Sequence, residues 1–238
     1  MKNAIHFATF LLMLNILRNV NADMILNITS NSLSYMTAIP PGTPKGNGWP
    51  ILCFLHGRGE AAPMPIQQAA SRYGPLNPNN PVKVRNEFII LVPQLPVPGD
   101  DWHLYSDNIM EMITNIRIKY GGDAKRTYLT GFSWGANGVF DLGIKQPDFW
   151  TALWPVDPVR KPTQGITQPI WLSIGVIARK FSTDYIQQLD LKPLDSNLIE
   201  DRYYLDEGDQ DHVGCAKMAY KDDRTYDWLL RKRLDAPK

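Results

Sequence analysis

Gly131-Phe132-Ser133-Trp134-Gly135 is the stretch on which the fold turns. Ahead of it, Arg126-Thr127-Tyr128-Leu129-Thr130 is a short β-branched and aromatic run, which predicts a buried strand. Behind it, residues 136–144 read as a helix packed closely through its small residues Ala136, Gly138 and Gly143. A strand, a sharp turn with serine at its tip and a helix form a nucleophile elbow. The flanking glycines let the backbone bend without a Cβ clash. The serine then stands at a helix N-terminus, where N–H groups and the dipole favour an oxyanion.

A serine cap between two turn glycines has the same letters, so the neighbours decide. Upstream, Pro50-Ile51-Leu52-Cys53-Phe54-Leu55 ends in His56-Gly57-Arg58-Gly59-Glu60. Five apolar residues in a row predict a strand buried on both faces, as in a parallel sheet. Acyl transfer needs two N–H donors aimed at the developing oxyanion. In a nucleophile-elbow architecture these are the amide after the serine, here Trp134, and one from the loop after the third strand, here Arg58.

Downstream, a short strand at 202–205 runs into a polar loop carrying Asp211-His212-Val213-Gly214. Of the four histidines, His6 lies in an apolar N-terminal segment, His56 in the His-Gly turn and His103 in a loop after Asp101-Trp102. His212 alone follows the last expected strand, where a general base fits the order serine, acid, histidine. Imidazole suits that role because it titrates near neutrality.

The Leu-His-Gly-x-Gly-Glu turn, the Gly-Phe-Ser-x-Gly elbow and the Asp-His-Val-Gly loop together resemble the α/β-hydrolase superfamily. Within it they are most similar to small phospholipase/carboxylesterase and polyhydroxybutyrate-depolymerase-like esterases. The resemblance covers roughly residues 25 to 234. It implies an α/β fold with a mostly parallel central sheet, helices on both faces and no large lid. It also implies a serine hydrolase of carboxylesterase type, with Ser133 as nucleophile and His212 as base, acting on a small-molecule ester or polyester without a cofactor.

One piece departs from the pattern. In such enzymes the acid usually follows the seventh strand, here Pro169-Ile170-Trp171-Leu172-Ser173-Ile174-Gly175. Counting on gives Val176, Ile177 and Ala178, with no carboxylate. Some members carry the acid after strand six, read here at 149–156, which makes Asp157 the favoured candidate. Asp184 and Asp206 stay open as alternatives, while Asp209 and Asp211 are expected to point outward. A chain with no acid would be a weak or inactive binding module, and an acyltransferase uses the same parts.

Composition sets outer bounds. The chain has 238 residues, 44% hydrophobic and 21% charged, with a net charge of +1. That balance gives no support for a nucleic-acid or acidic-membrane partner. Two cysteines and four scattered histidines show no metal-ligand spacing. Residues 1–22 read as a signal peptide, with a basic start, an apolar run and Val20-Asn21-Ala22 before the cut. That reading predicts a secreted or periplasmic protein with one domain at 23–238 and no stable membrane span. Export would permit a Cys53–Cys215 disulfide, although two buried free thiols fit equally well. Asn27-Ile28-Thr29 is a glycosylation sequon. Trp102 and Trp154, with Trp134, are candidate walls of an apolar pocket, or core packing residues. Nothing in the letters sets the oligomeric state.

The remaining pattern predicts an antiparallel hairpin at 24–29 and 33–39, and strands at 51–55 and 88–92. Helices are expected at 66–72, 107–120 and 181–189, with one long amphipathic segment at 216–234.

Overall fold

Residues 23–28, 33–44 and 46–234 are described by the structure, a computed structural model. The leader read at 1–22 and Thr29 of the sequon lie outside the described residues. Among the described residues nine strands form one sheet: β1 (Asp23–Ile28), β2 (Ser34–Ile39), β3 (Trp49–Leu55), β4 (Ile89–Pro93), β5 (Gly122–Phe132), β6 (Ala152–Val156), β7 (Ile170–Ile174), β8 (Lys192–Pro193) and β9 (Arg202–Asp206). Their spatial order is β1-β2-β4-β3-β5-β6-β7-β9-β8. β1 and β2 form the antiparallel hairpin, β2 joins β4 antiparallel, and every other pairing is parallel.

Helices α1 (Ile66–Arg72), α2 (Val82–Glu87), α3 (Ser106–Tyr120), α4 (Trp134–Lys145), α5 (Ser182–Leu189), α6 (His212–Ala219) and α7 (Asp223–Arg231) cover the sheet. The two-residue period of a strand sends alternate side chains to opposite faces. On β3, Ile51, Cys53 and Leu55 enter one core with Ile113 of α3, Phe140 of α4 and Tyr185 of α5. Leu52 and Phe54 enter a second core with Ile66 of α1, Val84 of α2, Ala216 of α6 and Trp228 of α7. Both faces are thus closed by helices, which is why the central strands read as unbroken apolar runs.

Three local expectations need correction. The segment at 216–234 is not one helix, because Asp222 caps a new one by accepting from the Arg224 amide. A six-residue helix, α2, precedes β4; it buries only Val84, too little to leave a helical period in the sequence. The strand expected at 149–156 begins at Ala152, because the Phe149 amide donates back to Gln146 and closes a turn.

Topology places the site. From β3 the chain steps to β4 on one side, then crosses to β5 on the other. Loops leaving the carboxyl ends of β3 and β5 therefore diverge and open a crevice at this reversal point. The Gly57 turn follows β3 and Ser133 follows β5.

Candidate active site

Ser133 sits at φ 57°, ψ −113°, in backbone space that non-glycine residues rarely enter. Its amide donates to Val156 of β6 at 3.0 Å, and its carbonyl accepts from Ala136 and Asn137. Such strain persists only where surroundings over-determine it, and functional sites are where it gathers. Both glycines of the elbow are dictated by close approach. A Cβ at Gly135 would lie 1.9 Å from the Leu55 carbonyl oxygen, and one at Gly131 would lie 2.4 Å from the Gly135 carbonyl oxygen. Gly135→Ala is therefore expected to destabilise the fold by about 3 kcal/mol or more, because backbone must move to admit the methyl. Urea denaturation checks this, and an unchanged midpoint would refute the close packing of α4 on β3.

The Gly57 turn lies against this elbow. A Cβ on Gly57 would come 3.6 Å from Ser133 Cβ and 2.8 Å from Glu60 Oε2. His56 anchors the turn from below: the Leu95 amide donates to Nε2 at 3.1 Å, so Nδ1 carries the proton and donates to the Gly57 carbonyl at 2.6 Å. Burial pushes the His56 imidazole down to about 4, so it is a neutral strut and not a base. Arg58 opens a short 3₁₀ turn and Trp134 opens α4. First-turn N–H groups have no acceptor in their own element. Among the described residues, neither of these two amides donates elsewhere.

Asp157 and His212 meet at the end of the sheet, with His212 Nδ1 2.6 Å from Asp157 Oδ2. Asp157 is fully buried. Its Oδ1 accepts from the amides of Gly175 at 3.1 Å and Ala178 at 2.7 Å. The turn after β7, which lacks an acid of its own, thus supplies donors to a carboxylate reaching over from β6. Gly175 has no side chain there because a Cβ would stand 2.6 Å from Asp157 Oδ2. His212 begins α6, whose first turn is capped by Asp211 accepting from Gly214 at 2.5 Å. The imidazole packs on the Phe132 ring at 4.5 Å, one residue from Ser133. Among the described residues the Ser133 hydroxyl makes no hydrogen bond; in unliganded sites such contacts are often long and tighten with substrate.

The structure does not bring the alternative acids to His212. Asp184 lies on α5 in an exposed pair with Lys161 at 2.9 Å. Asp206 is engaged by Arg179 at 3.0 and 2.5 Å, which holds its carboxyl below the usual range. The candidate pocket walls are also corrected. Trp154 is fully buried between Tyr220 and Tyr226 at 4.7 and 5.3 Å, with its indole N–H on Ser173. Trp102 packs under His56 at 4.9 Å and donates to its carbonyl. Both are core residues. Trp134 is half-buried and donates to the Asp100 carbonyl at 2.9 Å. The large apolar side chains left exposed on the loops after β4 and β7 are Val97, Leu104 and Val176.

Two carboxyls whose pKa is raised by burial went unassigned from sequence. Glu60 is buried beside Gly57 and pairs with Arg72 at 3.3 Å; burial raises its carboxyl pKa, opposed by Arg72, by the Gly57 and Glu60 amides and by His212. Glu207 follows β9, and burial, assisted by Asp222, pushes it up to about 7. Its ionisation is thus disfavoured by folding, and the stability it forfeits is lost as pH rises from about 4.5 through 7. Glu207→Gln is expected to gain about 2 kcal/mol on wild type between pH 4.5 and 7.5. Parallel urea titrations at the two pH values check this, and a constant difference would place the Glu207 carboxyl in water.

Cys53 and Cys215 are free and buried, one in each core, and burial raises both thiols. Among the described residues no cluster of three histidine, cysteine or carboxylate side chains is placed to hold a metal. No helix among them is long and apolar enough to cross a membrane.

No family model and no curated protein matches the chain by sequence. Solved structures do match by shape. A thermostable esterase aligns with a TM-score of 0.64 at 20% identity, covering 90% of this chain and 63% of that one. An S-formylglutathione hydrolase from Staphylococcus aureus aligns at 0.63 and 14% identity, covering 87% and 96%. A feruloyl esterase module from Clostridium thermocellum, complexed with sinapinate, aligns at 0.66 and 12%, covering 92% of each. The mostly parallel nine-stranded sheet, its helix layers and these likenesses give one conclusion: the chain has the α/β-hydrolase fold.

Proposed function

We propose that this protein is a serine hydrolase acting on carboxylic esters. The observation that carries the reading is Ser133 in strained backbone, next to amides of Arg58 and Trp134 that have no partner among the described residues, with the His212–Asp157 pair packed on the neighbouring Phe132. In the proposed reaction His212 Nε2 takes the Ser133 proton as the hydroxyl oxygen attacks the ester carbonyl. The Arg58 and Trp134 amides donate to the oxyanion that forms. Collapse expels the alcohol, which leaves with the proton His212 held. Water, activated by the same imidazole, then attacks the acyl-enzyme; the acid departs and Ser133 recovers its proton. Asp157 fixes the imidazole so that Nε2 is free to accept, and it balances the imidazolium.

The inactive-module reading arose from Ala178, and it weakens once the Ala178 amide is seen to serve Asp157. An alcohol in place of water would give an acyltransferase, and product analysis with an alcohol acceptor separates the two. The exposed side chains of Val97, Leu104 and Val176 favour an apolar group on the ester. The test is a fluorophosphonate label with peptide mapping, alongside turnover of p-nitrophenyl esters from acetate to decanoate. Phosphonylation at Ser133 with turnover is expected. No label and no turnover would overturn the reading.

A further inference from the structure

A cavity of about 220 Å³ is lined by Tyr73, Asn77, Asn79, Asn80, Lys217 and Lys221. Its wall is built. A Cβ on Gly74 would lie 2.2 Å from the Phe54 ring, so the 73–80 loop is pressed onto β3. Asn77 and Asn80 spend their side-chain amides on the Arg72 and Gly74 carbonyls at 2.8 and 2.9 Å. What remains includes a set of free donors. Among the described residues, the Tyr73 hydroxyl, the Asn79 carboxamide and both lysine ammonium groups have no hydrogen-bond or ion partner. No acidic residue lines the cavity. Lys217 and Lys221 stand four residues apart along α6 and its closing turn, spacing that puts both on one face.

Two ring contacts lead from the cavity wall to the histidine. The Tyr73 ring packs on Phe132 at 5.5 Å, and Phe132 packs on His212 at 4.5 Å. Unpaired cations and neutral polar groups lining one concavity are complementary to an oxyanion. We infer that this cavity is a subsite for a carboxylate carried by the ester substrate. The inference rests on the hydrolase reading.

The test compares 6-acetoxy-2-naphthoate with 6-acetoxy-2-naphthamide, which differ in charge and not in the bond cleaved. In wild type the naphthoate is expected to have the higher kcat/KM, and the ratio should fall with added salt. In Lys217→Ala/Lys221→Ala the ratio is expected to fall about tenfold, and Lys217→Arg/Lys221→Arg should keep it. An unchanged ratio in the alanine variant overturns the subsite. Inorganic phosphate should compete with the naphthoate alone; altered turnover of the naphthamide would mark a site for free anions instead and overturn the substrate assignment. If neither ester is turned over faster than by Ser133→Ala, the hydrolase reading fails. The cavity is then judged by fluorescence titration with 6-hydroxy-2-naphthoate. Binding about tenfold weaker in the alanine variant supports it, and equal binding overturns it.

Discussion

Ser133→Ala is expected to lower kcat for p-nitrophenyl acetate by about 10⁵-fold, leaving only what oriented binding and the amide pair supply. The size follows from the division of labour. Without the hydroxyl there is no acyl-enzyme, and His212 and Asp157 have no proton to move. The fold should survive, because the Ser133 hydroxyl makes no hydrogen bond among the described residues and its backbone is held by Val156, Ala136 and Asn137. Ser133→Gly separates strain from chemistry. It should lose activity equally and gain about 1 kcal/mol, since glycine tolerates φ 57° without a Cβ clash. A glycine variant no more stable than the alanine variant would show that the elbow stores no strain. An alanine variant within tenfold of wild type would remove Ser133 as the nucleophile.

Asp157→Asn carries the second large effect, a fall in kcat of about 10³- to 10⁴-fold. The reason is geometric. Two backbone amides, of Gly175 and Ala178, already donate to Oδ1. An asparagine must keep its oxygen there, because its NH₂ would face two donors. Its NH₂ is then turned toward His212 Nδ1, which has to accept. The ring proton moves to Nε2, and the imidazole no longer takes the proton from Ser133. The backbone tolerates the change, since asparagine also enters the left-handed region occupied by Asp157 at φ 44°. Steady-state kinetics with a parallel denaturation curve separate loss of chemistry from loss of fold. Asp184→Asn and Asp206→Asn, whose carboxyls serve Lys161 and Arg179, are expected to stay within about twofold of wild type. If Asp206→Asn shows the large loss instead, the pairing at 2.6 Å is not the one that matters.

What the sequence determined by itself is what neighbouring residues write together. The Gly-Phe-Ser-Trp-Gly turn, the His-Gly-Arg-Gly turn and the Asp-His-Val-Gly stretch after the last strand each lie within a dozen residues. Glycine and strand preferences mark them, so Ser133, Arg58, Trp134 and His212 were legible as candidates, although His212 reads as a loop residue and in fact opens a helix capped by Asp211. Five apolar residues in β3 likewise announced a parallel sheet covered on both faces. Only the tertiary structure sets Asp157, and not Asp184 or Asp206, beside His212. Asp157 lies 55 residues from His212. They meet because β6 pairs with β7 and β7 with β9, which brings three strand ends into register. No local pattern encodes that adjacency. The same holds for Trp154 and Trp102. In a strand apolar on both faces the two-residue period is invisible, so the letters do not say which core receives each ring. The buried carboxyls Glu60 and Glu207 and the lysine-lined cavity are likewise products of packing between elements distant in the chain. Local preference shapes each turn, but only the assembled sheet brings the turns to one end and sets which charges face one another.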